Sequence, residues 1–129
     1  MKMGFHHAAI NAADFDKTLD FYIKGLGFTL VRDWSTDQKK ACMIDIGDGG
    51  MLEIFSGGDT AVPETEKWLH IAFSVDDTDA AYEAALKAGA SSHMPPTDLT
   101  IESTPAPLPV RIAFVRGLNG ELLEFFHEK

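Results

Sequence analysis

Two stretches of the chain share one alternation of apolar and polar positions. His7-Ala8-Ala9-Ile10-Asn11 and His70-Ile71-Ala72-Phe73-Ser74 each read as a short strand with two unlike faces. Each is followed by an aspartate, a helical pattern and a glycine. Asp14 precedes Phe15, Leu19, Tyr22 and Leu26, spaced by three or four, and Gly27 ends the run, so a helix is predicted over 15–26. Asp77 caps a second helix over 78–88, with Ala81, Ala85 and Ala88 on one face and Gly89 just past its end. Between and after the helices, 28–34, 40–46 and 50–55 read as strands, with Asp48-Gly49 as the turn between the last two.

These stretches are two copies of one unit. His7 to His70 and Asp14 to Asp77 are both offset by 63 positions, and Glu53 to Glu124 by 71, the longer middle of the second copy absorbing the difference. The expected fold is α+β: a single domain over 1–129 made of two βαβββ modules, about 4–56 and 68–127. Residues 56–67 link the modules. Residues 91–109 hold five of the six prolines, so helix is excluded there and a loop is expected, either a lid or a plain surface excursion.

Strand parity places the polar residues. His7, Ala9 and Asn11 share one face, and His6, Ala8 and Ile10 the other. His70, Ala72 and Ser74 oppose the apolar row Leu69, Ile71, Phe73 and Val75, which is suited to cover a helix. Met51, Glu53 and Phe55 share a face, as do Leu122, Glu124 and Phe126, which sets each glutamate mid-strand between apolar neighbours. A carboxylate in that setting is costly unless something pairs with it. One histidine or one glutamate on a strand is ordinarily a hydrogen-bonded or solvated residue; recurrence of both types at matching places in both copies is not. Two imidazoles and two carboxylates form an N₂O₂ donor set of borderline hardness, suited to Zn²⁺ or Ni²⁺ first, with Co²⁺, Mn²⁺ and Fe²⁺ as alternatives. His6 reads as structural, and His93 and His127 as solvated.

Composition narrows the partners. With 20 Asp and Glu against 11 Lys and Arg, the formal charge is −9, so nucleic acid and anionic membranes are repelled. The lone cysteine, Cys42, sits in an apolar stretch and reads as a buried thiol needing no oxidising compartment. No apolar run approaches a membrane span, and a cytoplasmic location is expected. No nucleophile elbow, P-loop or GxGxxG is present.

The residues resemble the vicinal oxygen chelate superfamily, and within it bacterial glyoxalase I (lactoylglutathione lyase). The resemblance rests on His7-Ala8-Ala9-Ile10-Asn11 with Asp14, Asp20-Phe21-Tyr22 through Leu26-Gly27-Phe28, and Leu52-Glu53-Ile54. It continues through His70-Ile71-Ala72-Phe73-Ser74-Val75-Asp76, Arg111-Ile112-Ala113-Phe114-Val115 and Asn119-Gly120-Glu121-Leu122-Leu123-Glu124. It implies a curved half-open sheet around a divalent metal held by His7, Glu53, His70 and Glu124, formed within one chain or across a homodimer. Retention of all four positions separates the chain from metal-free antibiotic-binding members and from the two-His, one-Glu pattern of dioxygenases and fosfomycin-resistance enzymes. The implied activity is a lyase or isomerase reaction on a hemithioacetal or other vicinal-oxygen substrate, through a metal-stabilised enediolate. Glu124 is first choice as the base and Glu53 second. A dioxygenase and a non-catalytic small-molecule binding protein on the same scaffold are the alternatives.

The chain departs from bacterial glyoxalase I where that family places glutathione contacts: Asn11 stands for an arginine and Gly57 for an asparagine. The expected pocket wall, Ala9, Met51, Phe55, Ala72, Leu122 and Phe126 with Asn11 at its rim, suits a small, partly apolar ligand. Arg111 supplies an anion contact if its strand faces inward.

Overall fold

The computed structural model describes residues 2, 5–62, 70–103 and 105–129. Two compact units divide the chain, Met1–Ala61 and Val62–Lys129. Unit 1 contains β1 (His7–Ala12), α1 (Phe15–Asp20) continued by a wider helical turn (Phe21–Gly25), β2 (Thr29–Asp33), β3 (Ala41–Asp45) and β4 (Met51–Ser56). Unit 2 contains β5 (Ile71–Ser74), α2 (Thr78–Lys87), β6 (Ser91–Ile101), β7 (Leu108–Arg116) and β8 (Leu122–Glu128). The strand orders match: β1-β4-β3-β2 in one sheet and β5-β8-β7-β6 in the other, with a parallel first pair and antiparallel pairs after it. Each unit is therefore βαβββ, as the repeat predicts. The Leu69 of the expected apolar row, residues 63–67 of the linker and the starts of both predicted modules lie outside the described residues.

The helices are too short to persist alone in water and depend on one buried face. The Asp14 carboxylate accepts the Lys17 N–H at 3.1 Å, and the Asp77 carboxylate accepts the Ala80 N–H at 2.9 Å. Both satisfy donors that a helix start leaves free. Gly27 and Gly89 follow the two helices at φ +81° and +114°, a conformation that residues with a Cβ seldom adopt.

Three expectations change. The first helix does not run regularly over 15–26: past Asp20 it widens, and the Leu26 N–H reaches back five residues to the Phe21 carbonyl at 3.1 Å. Successive aromatics Phe21 and Tyr22 are both buried in this turn. The buried stripe of α2 is Thr78, Tyr82 and Ala85, not the three alanines, because the Tyr82 hydroxyl has a partner in Ser92 at 2.7 Å. Residues 91–109 are not a loop. The described residues of this span form β6 and the start of β7, which pair antiparallel with register slips between Ser92 and Met94 and between Met94 and Thr97. Those slips accommodate Pro95 and Pro96, which have no N–H for a ladder.

In unit 1 the core lies on the helix face of the sheet, where Cys42, Ile44, Leu52 and Ile54 are buried with Phe15, Thr18, Phe21 and Tyr22. In unit 2 it is Phe73, Ala113, Val115, Leu123 and Phe125 with Tyr82 and Ala85. The Thr78 hydroxyl donates to the Arg111 carbonyl at 2.9 Å and ties α2 to β7. No helix among the described residues is long and apolar enough to cross a membrane.

Candidate metal centre

The face of each sheet away from its helix carries the histidine and glutamate. In unit 1 the parallel register sets His7 opposite Met51, Ala9 opposite Glu53 and Asn11 opposite Phe55, so all six share that face. His7 Nε2 stands 3.6 Å from Glu53 Oε1. Asn11 is exposed, while Met51, Glu53 and Phe55 are half-buried. The Lys39 ammonium lies 5.1 Å from the centre of the Phe55 ring, so this wall residue already carries a cation.

Unit 2 repeats the arrangement. Ala72 pairs with Glu124 and Ser74 with Phe126, and His70 precedes the first paired residue of β5. His70 Nε2 stands 2.9 Å from Glu124 Oε2. The His70 and Phe114 rings make a T-shaped contact, with centroids 5.4 Å apart and planes nearly perpendicular. Glu124 is only 7% exposed, flanked on its strand by half-buried Leu122 and Phe126. That burial raises its pKa above the ordinary carboxylate range, and the His70 imidazole opposes the shift. A shallow depression of about 520 Å³, lined by Ala72, Ser74, Val75, Phe126, His127 and Glu128, opens beside it.

The donor spacing fits a divalent ion. Two ligands held at ~2.0–2.2 Å from one cation, at angles between octahedral and tetrahedral, stand about 2.8–3.6 Å apart. The two imidazole–carboxylate distances, 3.6 and 2.9 Å, fall at the two ends of that interval, and both use Nε2. Within neither unit do three His, Cys, Asp or Glu side chains gather as a metal-binding group among the described residues. Each unit offers a pair.

Several side chains stand elsewhere than the sequence suggested. Arg111 lies opposite His127, hence on the helix face and away from Glu124. Its guanidinium is held by Asp79 at 2.6 Å and by Asp98 at 3.3 Å, so it is not turned toward the pocket wall. The cation on the Glu124 face is Arg116, which pairs with Leu122. One of its terminal nitrogens donates to the Gly120 carbonyl at 2.7 Å, and no carboxylate lies within ion-pair distance of it among the described residues. Taking the β7–β8 turn as centred on Asn119 predicts this, since partners then sum to 238 and Glu124 falls opposite Phe114. His6 is exposed rather than packed under a helix, and its Nδ1 lies 2.8 Å from Nδ1 of His7. The exposed His93 ring touches Phe114 at 6.2 Å, and half-buried His127 donates to the Val75 carbonyl from a nitrogen 2.9 Å away.

Paired βαβββ units with a histidine and a mid-strand glutamate on one face of each define the architecture of a glyoxalase-type fold. Residues 4–106 match the Glyoxalase/Bleomycin resistance protein/Dioxygenase superfamily, and the chain belongs to it. The chain is 28% identical over 99 residues to the uncharacterized protein YwkD of Bacillus subtilis, covering 72% of this chain and 77% of that one. It is 25% identical over 129 residues to a probable lactoylglutathione lyase of Vibrio cholerae, covering 95% and 89%. A solved glyoxylase/bleomycin resistance protein/dioxygenase domain from Frankia superposes over 100% of both chains, with a TM-score of 0.79 at 22% identity, which establishes the fold.

Proposed function

We propose that the protein is a metal-dependent lyase or isomerase of the glyoxalase I type, with His7, Glu53, His70 and Glu124 as ligands of a divalent ion, Zn²⁺ or Ni²⁺ first. The observation that carries this reading is the buried Glu124 carboxylate beside an imidazole, matched by Glu53 and His7 in the other unit. When bound, the ion would polarise the vicinal substrate oxygens and acidify the C–H on the hydroxyl-bearing carbon beside the carbonyl.

Glu124 takes that proton. Buried between Leu122 and Phe126, the carboxyl is kept from bulk water and can return the proton to the neighbouring carbon, so the net change is an internal redox isomerisation without an external oxidant. His70 Nε2, 2.9 Å from the carboxylate, keeps the two donors of this unit together, and Leu122 and Phe126 keep water from competing for the proton. Met51 and Phe55 give the corresponding apolar wall beside Glu53. Asn11 and Gly57, standing where bacterial glyoxalase I has its glutathione contacts, favour another thiol or a thiol-free substrate. Arg116, not Arg111, is the cation placed to meet an anionic group on it.

The reading also has the chain act as a cytoplasmic homodimer on a small molecule. The net charge of −9 supports a partner other than nucleic acid or membrane. The test is chelator-treated protein assayed on methylglyoxal with a panel of thiols, before and after addition of each divalent ion, with the solution mass read alongside. Turnover restored by Ni²⁺ or Zn²⁺ in a species of twice the chain mass is expected. Absence of turnover with every thiol and every ion overturns the assignment.

A further inference from the structure

Neighbouring residues on a strand point to opposite faces, so their side chains ordinarily cannot meet. His6 and His7 do. β1 lies at the end of its sheet and His6 precedes its first paired residue, its carbonyl accepting the Met51 N–H at 3.3 Å. The His6 side chain is thereby able to fold around the strand edge. The two rings stand nearly perpendicular, with centroids 5.1 Å apart and Nδ1 to Nδ1 at 2.8 Å. A contact of that length between two nitrogens requires one proton between them.

From this geometry we infer that His6 is a positioning residue for His7: its Nδ1 accepts the Nδ1–H of His7 and leaves the lone pair of His7 on Nε2, the nitrogen directed at Glu53. The inference rests on the metal reading of His7 for its use, although not for its geometry. The opposite proton placement puts a hydrogen on Nε2, where Glu53 Oε1 at 3.6 Å is too far to accept it. It would also block that nitrogen as a donor to a cation. Ligand imidazoles are commonly oriented this way by an acceptor at the second nitrogen, and loss of that acceptor weakens metal binding about 10- to 100-fold. His70 has a different neighbour, the Phe114 ring in a T-shaped contact. The two units thus orient their histidines by unlike means.

The test uses the full chain, with His6→Phe, which keeps a ring but has no acceptor, and His6→Asn, whose amide oxygen can stand near the position of Nδ1. Nitrogen-15 NMR of the metal-free proteins, at a pH where both imidazoles are neutral, reads the His7 tautomer. Competition with a chromophoric chelator reads Zn²⁺ affinity. The wild type is expected to show His7 protonated at Nδ1. His6→Phe should shift that population toward Nε2–H and lower affinity about tenfold or more, and His6→Asn should restore both. An unchanged tautomer in His6→Phe overturns the inference, as does a loss of affinity that His6→Asn fails to recover. If the wild type takes up no Zn²⁺, the metal reading fails, and the tautomer measurement alone still decides the role of His6.

Discussion

His70 Nε2 lies 2.9 Å from Glu124 Oε2 at a carboxylate that is almost fully buried, whereas the corresponding pair in the first unit is longer and more open, at 3.6 Å with the glutamate side chain 15% exposed. The two glutamates share a position in the repeat but not an environment. Burial raises the pKa of Glu124, which suits it to proton transfer.

Glu124→Gln should therefore lower kcat by about 10²–10⁴-fold, the usual scale for removing a general base. Glu53→Gln should act mainly through weaker metal retention, so added Ni²⁺ recovers more of its activity than that of Glu124→Gln. Steady-state kinetics across a metal titration separates the two. Equal recovery in both variants would contradict the assignment of Glu124 as base.

Glu121 makes a second kind of prediction. Its Oε1 accepts the Asn119 N–H at 3.1 Å, while Oε2 is buried without a hydrogen-bond partner among the described residues. Burial raises its pKa above 4.5, and the Asn119 hydrogen bonds oppose the shift. The native state then holds this proton more tightly than the unfolded chain, so its contribution to stability is present below the unfolded pKa and is lost as pH rises through the folded one. Glu121→Gln removes that loss and keeps the Oε1 acceptor. Its urea midpoint should exceed that of the wild type at pH 7, with the gap closing near pH 4; a gap independent of pH would refute the burial argument.

Cys42 is fully buried on the helix face of the first sheet, and its thiol is pushed up to about 11, chiefly by desolvation. The thiolate is the reactive form, so the native protein at pH 8 should give almost no reaction with a disulfide reagent over minutes. In denaturant one thiol per chain should react at once. Rapid labelling without denaturant would show that the β3–β4 core opens readily.

Much of this architecture was legible in the chain because a duplicated pattern marks its own boundaries. The spacing of Asp14 to Asp77 and His7 to His70 located both helix starts and both first strands, and alternation alone put Glu53 with Met51 and Phe55. Residues 91–109 were misread because proline density signals only the loss of backbone donors. An end strand with slipped register tolerates that loss as well as a loop does. Arg111 was misplaced for a related reason: which side a β7 residue faces depends on where the following turn is centred. His6 reads as structural from the sequence because parity assigns it to the far side of the strand, and only its position before the first pair lets it return to His7.

The prolines in β6 have a consequence for self-association. β6 is the outermost strand of its sheet, and Pro95 and Pro96 interrupt the row of N–H groups that a stray strand would need as a template. Fibril-like accretion along that rim is discouraged, so any stable association of two chains must be built from side-chain packing or from another rim of the molecule.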